Sequence, residues 1–233
     1  MSLGAAGAGG DNTMADGTSA PSTARFARKR EAIIAAATVI LNREGVKGAT
    51  LADVAASVGL ITTSVTYYFK KKEDLAAACF LSSIERLDDL VVQALREPTP
   101  EARLRQLLDL YLTLDRDIRL GEAPAIAYLS DVRALSEDVL EPVWQALLEL
   151  YRRLSSLFEV AAAVDRRGAM ARAYVLMEQI FWSPAWLFRY ELEDYPRIRD
   201  RMADILIHGL AAQGSVWTPV LLPDGCASAA PPT

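Results

Sequence analysis

Between Thr50 and Lys72 the chain concentrates residue types that can bond to a nucleic-acid groove. Thr62, Thr63, Ser64, Thr66 and Tyr67 put hydroxyls along a segment with little aliphatic bulk, and Tyr68 follows them. Hydroxyls of this kind reach base edges or phosphate oxygens. Lys70, Lys71 and Lys72 come directly behind, where ammonium groups can pair with the phosphates beside a groove. Val65 and Phe69, four apart, are the positions that can pack inward, so the segment from about Thr62 reads as a short helix with one buried stripe.

A second short helix must precede it. Thr50 followed three residues later by Asp53 is a capping-box-like start, and Leu51, Val54, Ala55 and Val58 then recur at helical spacing. Gly59 follows the last periodic residue, where a left-handed conformation carries no Cβ penalty and the chain can turn sharply. Upstream, Ile33, Ala37, Ile40 and Leu41 predict a bracing helix over 26–44 that begins with Arg28, Lys29 and Arg30. Cations disfavour a helix N-terminus, so that triplet suits a phosphate partner; a solvated charge run fits the same pattern.

Over residues 28–75 this arrangement resembles the TetR-type transcriptional regulators. Their pattern runs from a Thr-capped second helix through a Gly-hydrophobic turn into a recognition helix that ends in Tyr-x-Phe and Lys-x-Lys-Glu-x-Leu. Gly59, Tyr67, Tyr68, Phe69, Lys70, Lys72, Glu73 and Leu75 fill the matching places without a gap. Two positions depart from it: Ile61 stands where a Ser usually opens the recognition helix, which would move the cap to Thr62, and Thr66 replaces a common aromatic. The resemblance implies an all-α chain, with an N-terminal three-helix DNA-binding domain containing a helix-turn-helix and a C-terminal helical domain for ligand binding and dimerisation. It implies DNA contacts from Thr50, Thr62, Thr63, Ser64, Thr66, Tyr67, Tyr68, Lys70 and Lys72, with Lys72 at the place of a phosphate-binding lysine.

The charge distribution agrees with a nucleic-acid module on an acidic carrier. The whole chain has a formal net charge of −5, yet Pro21 to Lys72 holds nine basic residues against three acidic ones, +6 locally, which leaves −11 for the rest. With 52% hydrophobic residues the chain can bury a sizeable core. Residues 1–24, rich in Gly, Ala, Ser and Thr without apolar periodicity, read as a disordered tail; Met14 is an alternative start to Met1. Neither a signal-peptide pattern nor an apolar run of about 18 residues occurs, which points to the cytoplasm. Cys79 and Cys226, far apart and without metal-ligand spacing, read as inert thiols in a reducing compartment.

Beyond Lys72 the periodicity stays helical. Phe80, Ile84, Leu87, Val91 and Leu95 mark a long helix joining the reading module to the body. Leu104, Leu107, Leu108 and Tyr111 define the next, then Ile126, Leu129 and Val132 a shorter one. From about Ser136 to Ala163 two apolar rows run along one helix, Val143, Leu147, Leu150, Leu154 and Leu157 on one and Trp144, Leu148, Tyr151 and Phe158 on the other. So wide an apolar arc suits a central position in a bundle with one side lining a cavity. Asp165 and Gly168 mark a break before a helix carrying Met170, Tyr174, Met177 and Phe181, which Pro184 should kink. A last helix is expected from Tyr195 to Ala212, followed by a loose tail over 213–233.

These patterns give a domain division of 1–24, 25–72, 73–212 and 213–233. Tyr111, Tyr128, Trp144, Leu148, Tyr151 and Phe158 are the candidate walls of a cavity for a small, mostly apolar effector, since phenols and an indole add directional partners to apolar area. Filling the core is the alternative for each. By the resemblance, Phe181, Trp182, Trp186, Met202, Ile205 and Leu206 would form a homodimer interface, with membership of the monomer core as the alternative. An all-helical enzyme acting on a small apolar substrate lacks a named residue: the single histidine, His208, has no recognisable triad partner, and phosphate loops, HExxH and paired-cysteine motifs are absent. No catalytic residue, metal site or cofactor is therefore assigned. A helical protein-interaction module is the other alternative, distinguished by partner binding without preference for any duplex sequence. The reading that the resemblance favours is a repressor that a small molecule releases from a palindromic DNA operator.

Overall fold

The computed structural model describes residues 19–159 and 166–208, and its regular elements are all helical. Helix α1 (Ser19–Gly48) starts earlier and ends later than its apolar periodicity suggests. Its residues 19–24 fall in the segment expected to be tail; the rest of that segment lies outside the described residues. Ile33, Ile34, Ala37, Ile40 and Leu41 form its buried face. Near its end Gly45 takes φ +70°, and a Cβ there would lie 3.1 Å from a carboxylate oxygen of Asp131. Only glycine meets that backbone and that contact without strain.

Helix α2 (Leu51–Ser57) is capped by Thr50, whose hydroxyl accepts from the Asp53 N–H and donates to the Asp53 carboxylate at 2.5 Å. Gly59, at φ +66°, makes the turn. Helix α3 (Thr62–Tyr68) follows with Ile61, not Thr62, at the N-cap and no side-chain capping bond. Val65 and Phe69 anchor it inward. Helix α4 (Lys72–Ala94) then leaves the three-helix head and runs into the body. Its buried face, from Leu75 through Phe80 and Ile84 to Val91, belongs to one hydrophobic core that includes Ile33 at one end and Met202 at the other. Phe80 and Ile33 are fully buried, and each contributes about 1.5–3 kcal/mol of transfer free energy.

Helix α5 (Pro100–Arg119) is capped by Thr99 with proline at its first position. The expected helix around Leu129 is a 3-10 segment (Leu129–Ala134). Helix α6 (Glu137–Ser156) ends before the predicted Ala163, because the chain turns at Leu157 and Phe158. Helix α7 (Arg166–Trp182) contains Gly168, which therefore does not break it; Asp165 lies outside the described residues. Pro184 opens a separate short helix, α8 (Pro184–Leu187). Helix α9 (Tyr195–His208) closes the described chain, so residues 209–212 of the expected last helix and the 213–233 tail lie outside it. In the body α6 packs between α4 and α7, and α5 packs between α4 and α9. No described helix is long and apolar enough to cross a membrane.

Candidate nucleic-acid interface and the cavity of the body

On the head, Thr62, Thr63 and Tyr67 are exposed along α3, Tyr67 at 73%, and Ser64 is half-buried. Two other hydroxyls are already engaged. Thr66 donates to the Thr63 carbonyl at 2.9 Å, and Thr50 spends its proton on Asp53. Tyr68 is half-buried against Phe26, with ring centroids 4.7 Å apart. Lys70 is exposed, Lys71 lies 3.6 Å from the Asp138 carboxylate of the body, and Lys72 donates to the Lys47 carbonyl at 2.9 Å. Hydroxyls and ammonium groups thus share the α3 edge of the head, a surface suited to a polyanionic groove.

In the body, the segment from Tyr128 to Arg133, α6, α7 and the start of α8 surround a cavity of about 550 Å³. Four of the six side chains expected at its wall, Tyr128, Trp144, Leu148 and Tyr151, line it. Tyr111 and Phe158 do not. Tyr111 is 2% exposed, and its hydroxyl lies 2.8 Å from Ser183 Oγ and donates to the Ile180 carbonyl at 3.0 Å; burial pushes its phenol well above the usual range. Its core-facing position on α5 uses its polar atom to tie α5 to the end of α7. Phe158 misses the row because α6 has already ended. The pattern gave no sign of Tyr174, Glu178 and Arg133, which also line the cavity. The Tyr174 ring meets that of Tyr151 at 4.7 Å with an interplanar angle of 58°, and the Tyr151 phenol is raised by burial and by the Glu178 charge. The walls are mostly apolar, with phenols, one guanidinium and one carboxylate.

The cavity and the head meet in one stretch of chain. Asn42 of α1 donates to the Ile126 carbonyl at 2.7 Å and accepts from the Tyr128 N–H at 2.9 Å. A carboxylate oxygen of Asp131 accepts from the Val46 N–H at 2.5 Å, beside Gly45. Between and beside these anchors, Tyr128, Leu129, Ser130, Val132 and Arg133 face the cavity. Asn42 and Tyr128 also border a smaller void of about 60 Å³ with Tyr111 and Pro184. Nothing local in the sequence marks these pairs, which lie more than 80 residues apart.

Residues 33–79 match the family model for bacterial regulatory proteins of the tetR family. Over that segment the head is similar to the DNA-binding domain of TetR-type transcriptional regulators. Solved structures extend the likeness to the TetR-type body. A TetR-family transcriptional regulator from Bordetella parapertussis is 20% identical with a TM-score of 0.60, covering 78% of this chain and 95% of its own. AibR in complex with isovaleryl coenzyme A and operator DNA is 15% identical at a TM-score of 0.60, over 76% and 97% of the two chains. FadR from Bacillus subtilis in complex with stearoyl-CoA is 15% identical at 0.58, over 77% and 98%. At these identities the likeness is one of fold. A comparison with curated proteins gives no match.

The side chains expected at a TetR-type dimer interface are not equivalent in this chain. Phe181 and Trp182 line the cavity, although Trp182 is also 62% exposed. Met202 is buried in the chain's own core, a correction to its expected place at the interface. Trp186, Ile205 and Leu206 are half-buried. Val175 and Phe188, which the sequence pattern does not single out, are largely exposed on α7 and just beyond α8. His208 is exposed at the end of α9, Cys79 is buried, and Cys226 lies outside the described residues. Among the described residues no group of acidic, histidine or cysteine side chains could hold a metal ion.

Proposed function

We propose that this protein is a homodimeric, non-enzymatic repressor that a small, mostly apolar effector releases from a palindromic operator. The observation that carries this reading is the double use of residues 126–134, which wall the cavity and grip α1 through Asn42 and Asp131. An effector that displaces Tyr128 or Arg133 would shift the anchors of α1 and so the spacing of two heads on adjacent major grooves. On each head Thr62, Thr63 and Ser64 read base edges, Tyr67, Lys70 and Lys72 grip phosphates, and Thr50, Thr66 and Tyr68 hold the frame that presents them. Two protomers would join through α7 to α9, with Val175, Trp182, Trp186, Ile205 and Leu206 at the interface.

About 550 Å³ lies in the range of small-molecule sites. Two structural neighbours are described with acyl thioesters of coenzyme A bound, which makes that class the first to test, with Arg133 available to an anionic group at the cavity wall. The test is selection of bound duplexes from a random pool by the full-length protein, followed by competition with coenzyme A esters of increasing chain length. An enriched palindrome is expected, and release by the esters would show that the apolar part of the effector is an acyl chain carried on an anionic head. Failure of any sequence to beat random duplex by more than about tenfold would sink the reading, since specific readers discriminate by at least ~10³.

A further inference from the structure

From Thr23 to Ala32 every side chain of α1 is exposed, so the core of the head does not anchor this part of the helix. It rests instead on the far end of the recognition helix. The Phe26 ring lies 4.7 Å from Tyr68 and 6.0 Å from Tyr67, edge-on to the latter, and the two tyrosines meet at 5.3 Å and 90°. One turn further along, the Arg30 guanidinium sits over the Phe69 ring, 5.1 Å from its centroid. Positions i and i+4 share a helix face, so Phe26 and Arg30 form one seam against residues 67–69. Arg25 and Lys29, also four apart, lie on the flank of that seam and are exposed. The seam's outer part falls outside residues 33–79, the segment the family model matches.

We propose that Phe26 is a positioning residue of the DNA interface. It holds the exposed Tyr67 ring in place before DNA arrives, and it sets Arg25 and Lys29 beside the recognition helix, so that the phosphate-binding surface extends onto the first turns of α1. A free surface tyrosine loses rotamer freedom when it grips a phosphate, whereas one already braced by two rings loses less. The cations gain from the same bracing, because α1 is kept at a constant distance from the groove. The proposal rests on the DNA-binding reading above.

The experiment measures binding of the full-length protein to its selected palindrome over a range of salt concentrations. Phe26→Ala should weaken binding by about tenfold, Phe26→Leu similarly, and Phe26→Tyr, which keeps the ring, by less than about twofold. Phe26 is 40% exposed, so the melting temperature serves as the control for folding. In a Tyr67→Ala background, Phe26→Ala should add little, because a residue acting through Tyr67 has no separate effect once Tyr67 is gone. Arg25→Ala with Lys29→Ala should reduce the salt slope by about 2 without altering the selected sequence. Phe26→Ala binding as tightly as wild type, full additivity with Tyr67→Ala, or an unchanged salt slope in the Arg25 and Lys29 variant would each overturn the proposal while leaving the DNA-binding reading intact. A wild-type protein without sequence preference overturns that reading, and the proposal with it.

Discussion

Lys72 Nζ donates to the Lys47 carbonyl across the junction between the end of α1 and the start of α4, so the ammonium group proposed for phosphate also ties the head together. A point charge placed at a phosphate carries no information about the base. Lys72→Ala should therefore weaken binding to all duplexes about equally and lower the salt slope by roughly 1. Thr63→Ala and Ser64→Ala should instead change the preferred base at one position in each half-site. Binding assays on single-base variants of the palindrome check both, and a changed preference in Lys72→Ala alone would reverse the assignment. Cys79 illustrates the opposite case of a reactive group made inert. Burial pushes its thiol up to about 11, so the neutral, unreactive form persists at physiological pH. In a Cys226→Ser variant, iodoacetamide at pH 8 should leave Cys79 unmodified until denaturant unfolds the protein; fast labelling of the folded chain would contradict the buried placement.

At the scale of elements, the 3-10 segment Leu129–Ala134 and the extended residues before it are what α1 and the cavity have in common. Asn42 satisfies a carbonyl and an N–H of that stretch at once. Its replacement by Ala leaves both without their partner, at a cost of about 1–3 kcal/mol for each group that stays buried. Under the proposed coupling, Asn42→Ala and Asp131→Ala should still bind the operator within about threefold of wild type, and their cavities should still take the effector. They should lose most of the release. Trp144→Ala and Tyr151→Phe act one step earlier: effector binding itself should weaken, while operator affinity of the free protein stays within about threefold, roughly 0.7 kcal/mol. Tryptophan emission reports occupancy of the cavity, and anisotropy of a labelled operator reports release. Release undiminished in both clamp variants would remove the clamp from the mechanism.

For the molecule as a whole, one core includes Ile33 in the head and Met202 in α9, so head and body are packed together and are not beads on a linker. Of the large apolar side chains left exposed, Tyr174, Val175, Trp182 and Phe188 fall together along α7 and just beyond α8. Apolar residues clustered outside a core mark surfaces that associate. We expect sedimentation to give a dimer at micromolar concentration. Val175→Glu, which alters an exposed position, should give folded monomers that bind half-sites weakly. Ile205→Glu, half-buried on α9, should do the same if its side chain faces the partner and should unfold the protein if it faces inward. A wild-type monomer would end the case for the dimer.

The local signals in the chain were sufficient for the recognition helix and its approach. A Thr cap three residues before Asp53, a Gly at the turn and apolar residues four apart act within a few residues of themselves, so α2, the left-handed Gly59 and the start of α3 at Thr62 were all legible. So was the helical character of the body, since a 3.6-residue period survives whatever it packs against. What tertiary structure alone decided is which side of each helix meets which neighbour. Tyr111 and Tyr128 looked equivalent in sequence, yet one is bonded to Ser183 in the core and the other borders the cavity. Phe158 continued an apolar row on a helix that had already ended. Phe26 stood alone among cations until the fold brought Tyr67 and Tyr68 to it. Asn42 and Asp131 carried no local pattern because their partners are set by how α1 crosses the body, and a crossing depends on the packing of whole helices.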